Sequence, residues 1–233
     1  MPVRPRPHRP AATRAPTAPP VPGSPLPAGD FGPWAEGLDA AIQGERDSDV
    51  PCGDCAACCS AGQFISVGPD EHDALRAIPA ALLFPAPRMP KGHMLMGHDA
   101  KGRCPMWIHQ RCSIYASRPR ACRTYDCRVF AAAGQDGPEG NPDPAVSHQA
   151  RRWRFGLESL ADAQGFAAVR LAAARLRARV LPPELAPAHA TQLAVLAFKL
   201  RALFLDEAAG GSPPSAERVV GAVLALRAAQ ARP

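Results

Sequence analysis

Eight cysteines fall between Cys52 and Cys127 of a 233-residue chain, and none lies outside that window. They run Cys52, Cys55, Cys58 and Cys59, then Cys104, Cys112, Cys122 and Cys127. The first four read C-x2-C-x2-C-C. Two-residue gaps let neighbouring thiolates converge on one metal through a tight loop. Eight soft donors suit two four-thiolate centres. Tetrahedral zinc and an iron–sulfur cluster both accept four thiolates, so the spacing leaves zinc and iron open. A closed zinc site would be structural, whereas a cluster could carry electrons.

Adjacent side chains usually diverge, so Cys58 and Cys59 are expected at different centres. In bacterial ferredoxins, cysteines in C-x2-C-x2-C order share a cluster with a remote cysteine followed by proline. That spacing suggests Cys52, Cys55, Cys58 and Cys104 (followed by Pro105) as one set, with Cys59, Cys112, Cys122 and Cys127 as the other. His93, His98 and His109 lie inside the same window and are candidate substitutes. A solvated or core histidine is the commoner role for each of them. His72 is expected on a helix surface, and His8, His148 and His189 outside the module.

The stretch 52–63 has no large apolar side chain, so burial cannot shape it and a metal must. A short strand is expected at 64–67 and a helix from Pro69-Asp70-Glu71 to Ile78, with proline and acids suited to its first turn. Segments 93–98 and 103–108 are expected to pair as a hairpin around Asp99-Ala100-Lys101-Gly102, placing Cys104 in its second strand. Cys122 and Cys127 fall near or on a short helix after Arg118-Pro119. Upstream, Trp34, Leu38 and Ile42 mark a helix that would pack on the module. Downstream, apolar spacing of three or four predicts one long helix from Trp153 to Ala178 and Val180, ended by Pro182-Pro183. Further helices follow at 190–208 and 215–230.

The expected fold is therefore mainly α, with an irregular, metal-organised cysteine module carrying a short β-hairpin, C-terminal helices and a disordered N-terminus. The expected division is a Pro/Arg-rich tail at 1–30, the module at 31–130, a linker at 131–144 and a helical region at 145–233. Ten prolines in the first 30 residues, without periodic apolar positions, cannot build a core.

No signal-like apolar stretch opens the chain, and no window matches a membrane span. A cytoplasmic location is expected, where dense cysteines bind metal or do redox work more often than they form disulfides. From 101 to 128, Lys101, Arg103, Arg111, Arg118, Arg120, Arg123 and Arg128 stand against Asp126 alone, matching the chain's formal charge of +6. These cations could balance an anionic thiolate centre, form a solvated basic face, or bind phosphate. Arg118, expected to bond a carbonyl or thiolate, and Arg123, next to Cys122, are the candidates to support a bound cofactor. Ile114 and Tyr115 are candidates to pack over the site and exclude water, with ordinary core packing the plainer reading.

Cys52-Gly-Asp-Cys55-Ala-Ala-Cys58-Cys59, with Cys112-Ser-Ile-Tyr-Ala-Ser-Arg-Pro-Arg-Ala-Cys122-Arg-Thr-Tyr-Asp-Cys127, resembles the YkgJ-type cysteine-cluster family of zinc- or iron-chelating CxxCxxCC proteins. The joining Gly102-Arg103-Cys104-Pro105-Met106-Trp107 fits that family's central segment. The resemblance covers about residues 50–130 and implies metal binding through all eight cysteines.

The leading reading is a cytosolic protein chelating zinc, iron or an iron–sulfur cluster, with metal ions as its partners. An iron–sulfur oxidoreductase or protein-modifying enzyme is one alternative, and a zinc-dependent nucleic-acid or protein interaction module is another. The chain displays no acid–base pair or cofactor loop for the first. It lacks the interleaved exposed aromatics that single-strand nucleic-acid binding would use. No membrane association is expected, and no protein partner is identified.

Overall fold

The computed structural model describes residues 24–48, 50–51, 55–87, 89–135 and 144–230. Cys52 and the N-terminal part of the proline-rich tail lie outside the described residues. So does most of the expected linker.

Apolar periodicity builds the main core. Helix α1 (Phe31–Gln43) buries Phe31, Trp34, Ala35, Leu38 and Ala41, and Gly44 ends it in a left-handed conformation that suits glycine. Helix α7 (Leu160–Arg177) buries Ala168, Val169, Ala172, Ala173 and Leu176. Helix α8 (Ala190–Leu200) lays Ala194 and Ala197 into the same core, and small side chains let such helices approach closely. Aromatics are scarce, but several gather here. Phe31, Trp34, Phe155, Phe166 and Phe198 pack with ring centroids 4.6–5.8 Å apart, in tilted or edge-to-face pairs. Helices α5 (Arg128–Ala132), α6 (Pro144–Ala150) and α10 (Ala216–Gln230) complete the core. It thus includes Ala131, Ala132 and Ala133, at the start of the segment that the sequence marks as a linker.

Two expectations about this region need correction. The long helix from Trp153 does not form. Trp153–Gly156 is strand β7, with Trp153 buried and Arg154 exposed in the alternation of a strand. The helix starts later because Ser159 caps it, its side chain accepting from the Asp162 N–H at 3.0 Å. Leu157 and Leu160, which a helix running from Trp153 would bury at that spacing, are exposed. The partner of β7 is strand β1 (Leu26–Asp30), which pairs with it in parallel. Residues 26–30 of the proline-rich segment thus form a strand. The helix expected at 190–208 breaks into a 3-10 turn at Arg201–Phe204 before the short α9 (Leu205–Ala208).

The cysteine region has a smaller core of Val67, Ala74, Ile78, Met96 and Met106. Strand β2 (Ile65–Val67) and helix α3 (His72–Ala77) lie where the sequence indicates. The hairpin does not. Strand β4 (Met94–Met96) pairs antiparallel with β2 on one side and with β3 (Leu83–Pro85) on the other. The apolar β2 and β3 cover Met96 in a way that the polar segment after Asp99 could not. Asp99 instead closes its own turn. Its carboxylate accepts from the N–H groups of Lys101 and Arg103 and from the Arg103 guanidinium, which holds it down at about 2. The short hairpin of the module lies further on, between β5 (Trp107–Ile108) and β6 (Arg111–Cys112). Helices α2 (Ala57–Ser60) and α4 (Arg120–Arg123) complete the elements.

Candidate metal centre

Each cysteine is placed by a local device. Cys58 and Cys59 ride on α2, and Cys55 just before it accepts from the Ala57 N–H at 3.5 Å. The Asp99 turn delivers Cys104 to α2, where its N–H donates to the Cys59 carbonyl at 2.8 Å. His109 and Gln110 make the two-residue turn of the β5–β6 hairpin, both with positive φ (49° and 62°), as a primed turn requires. That turn sets Cys112 opposite Trp107. Cys122 sits on α4. The Arg120 N–H at the start of α4 donates to the Glu71 carboxylate, and the Arg120 guanidinium pairs with Asp70.

These devices bring Cys55, Cys58, Cys59, Cys104, Cys112 and Cys122 to one cleft of about 1310 Å³. Cys127 stands apart from its lining. It is buried in the main core at the start of α5, where its Sγ accepts from the Trp153 indole N–H at 3.1 Å. Of the histidines in the window, His109 lines the cleft. His93 bonds the Pro90 carbonyl at 3.1 Å, His98 packs against Phe64, and His72 is exposed. His189 also lines the cleft, carried there at the cap of α8. Sequence separation hid it, and no local signal marks it.

The thiols feel one another. Cys58 is lowered to about 7, chiefly by a hydrogen bond with Cys59 and with help from the Arg118 charge. The bond to Cys58 raises Cys59, and burial and the charges of Cys58, Cys104 and Cys112 add to it. Cys122 is pushed up to about 12 by burial and by Cys58, Cys104 and Cys112. Burial also raises Cys55 and Cys104. Thiols raised in this way hold their protons at neutral pH, and a metal must displace them. Apparent zinc affinity should therefore fall as pH drops from 8 to 6, by roughly tenfold per unit for each displaced proton. Competition against a chromophoric chelator measures that slope, and a flat profile contradicts it.

The basic segment is largely paired. Arg103 pairs with Asp99, Arg120 with Asp70, Arg123 with Asp47 at 2.8 Å, and Arg128 with Asp126 at 2.7 Å. Arg123, the candidate beside Cys122, thus spends its guanidinium on Asp47. Arg118 donates to the Tyr115 carbonyl at 3.3 Å and stacks on the Tyr115 ring at 3.9 Å. Tyr115 is 67 % exposed, so it forms a rim and does not exclude water.

Sequence reasoning missed Asp126, the residue before Cys127. It is buried, with Oδ2 accepting from the Trp34 indole (3.0 Å), the Ser48 hydroxyl (3.0 Å) and the Arg128 guanidinium. Oδ1 accepts from the Arg128 N–H at 2.9 Å, and Arg128 also donates to the Ala28 carbonyl at 3.0 Å. The only sequence signal was an acid among arginines between two cysteines.

The donor set fits a soft or borderline metal: thiols from several chain segments face one cleft, and none of the seven described cysteines is in a disulfide. Among the described residues, no three Cys, His, Asp or Glu side chains yet stand together as a ligand group. No described helix is long and apolar enough to cross a membrane. No match is found among curated proteins or solved structures. Residues 51–137 match the family model CxxCxxCC, described as "Putative zinc- or iron-chelating domain". The segment that builds the cleft is thus a match to the CxxCxxCC family, as its cysteine pattern indicates.

Proposed function

We propose that the cleft is a thiolate centre that chelates zinc or iron and thereby organises the cysteine-bearing segments between residues 55 and 122. The observation that carries this reading is that six cysteines, from segments 55–59, 104–112 and 122, line one cleft. The six cleft cysteines would hold the metal, with Cys52 and, once its Sγ leaves the Trp153 indole, Cys127 completing the donor set. Bound metal would supply cross-links that the small core around Val67 and Met96 lacks. Closing a four-thiolate shell needs the side chains to turn inward on binding. An iron–sulfur cluster is the redox form of this reading, and a cytoplasmic site suits free thiols. The nucleic-acid reading is weaker, because four arginines of the basic segment already face carboxylates.

Elemental analysis and a visible spectrum of anaerobically purified chain test the proposal. A brown protein with iron and sulfide gives the cluster form. A colourless protein with about two zinc ions per chain, as eight thiolates at four per ion imply, gives the structural form. A colourless chain without either metal, which takes up none on titration, removes the proposal.

A further inference from the structure

The cleft is far larger than its thiols need. A metal held by four thiolates lies about 2.3 Å from each sulfur, so one or two ions fill little of a cleft of about 1310 Å³. Small-molecule pockets commonly span about 300–1,000 Å³. Its described lining contains no Asp or Glu, but it contains Arg111, Arg118 and Arg123. Asp47 neutralises Arg123. Among the described residues, Arg111 and Arg118 have no carboxylate partner. Aromatic side chains stand with them: Phe64, 57 % exposed, Tyr115 and Trp107 all line the cleft. The Trp107 indole N–H is buried without a hydrogen-bond partner among the described residues. A buried donor of this kind calls for an acceptor.

We infer that the cleft also binds an organic oxyanion with an apolar body, placed beside the thiols. Arg111 and Arg118 take the carboxylate or phosphate group, where a guanidinium can make two parallel bonds. Phe64 and Tyr115 take the apolar part, and the Trp107 indole N–H donates to the oxyanion. The inference rests on the chelating reading only in that the ligand would sit next to the bound metal.

Calorimetric titration of the zinc-loaded full chain with phenyl phosphate, benzoate and neutral benzyl alcohol tests it. Saturable binding of at least one anion is expected, with benzyl alcohol at least about tenfold weaker. The stronger of the two anions identifies phosphate or carboxylate as the preferred group. Arg111→Gln should weaken the anion by about tenfold or more with zinc content unchanged, and Arg111→Lys should restore part of it. The inference is overturned if neither anion saturates, if benzyl alcohol binds equally well, or if Arg111→Gln has no effect. Zinc content is measured separately. A chain that takes up no zinc ends the chelating reading alone, and the same titration of the chain as purified still decides the anion.

Discussion

Asp126→Ala should lower the thermal midpoint by roughly 6–20 °C, the equivalent of about 3–5 kcal/mol in a chain of this size. Asp126 is 4 % exposed and its partner Arg128 7 %. Removing it takes the Asp126 charge away from a buried guanidinium, and strips acceptors from Trp34 and Ser48. It also frees the backbone N–H of Arg128, which fixes the start of α5 next to Cys127. Asp126→Asn keeps an acceptor and should lose less. The contrast is Asp47→Ala, which breaks the more exposed pair with Arg123 and should cost only about 0–1 kcal/mol. Thermal or urea unfolding of the three variants checks the order. An Asp126→Ala protein as stable as the parent would show that the network does not hold α5.

Removing a bound metal should give the second large effect, and an uneven one. Structural zinc contributes about 10–16 kcal/mol in zinc-finger peptides. Here two unequal cores must respond differently. Five residues, Val67, Ala74, Ile78, Met96 and Met106, form the buried cluster beside the cysteines. The other core spans α1, α5, α7, α8 and α10 and contains no cleft cysteine. Chelation should therefore speed amide exchange across residues 55–122 by about a hundredfold or more, and leave α7 and α8 nearly as protected as before. Hydrogen exchange with and without chelator reads this directly. A uniform loss, or no loss, contradicts the division.

What the sequence made legible was local. Trp34, Leu38 and Ile42 at helical spacing gave α1, and apolar periodicity with flanking glycine and proline gave most of α8 and α10. The helix at Arg120–Arg123 followed from Pro119. What escaped was pairing at a distance. Nothing near Leu26 announces Trp153 as its strand partner, and the aromatic Trp153-Arg-Phe155 run could be read with either period until β1 is known to lie beside it. The hairpin error has the same cause. Met94–Met96 had an attractive local partner, but two apolar strands from elsewhere cover it better. For the site, cysteine types and spacing pointed to a common centre, and six of the seven described cysteines reach one cleft. The place of Cys127 depended on Trp153, and that of His189 on how α8 docks. Neither is written near the cysteines.

The most direct test compares metal bound per chain in the parent and in a Cys59→Ser/Cys104→Ser double variant, whose segments meet through the Cys104 N–H bond to the Cys59 carbonyl. The account predicts stoichiometric zinc or iron in the parent and a loss of at least half of it in the variant, with the helices of the main core still folded. Equal metal in both, or none in the parent after reconstitution, would contradict it.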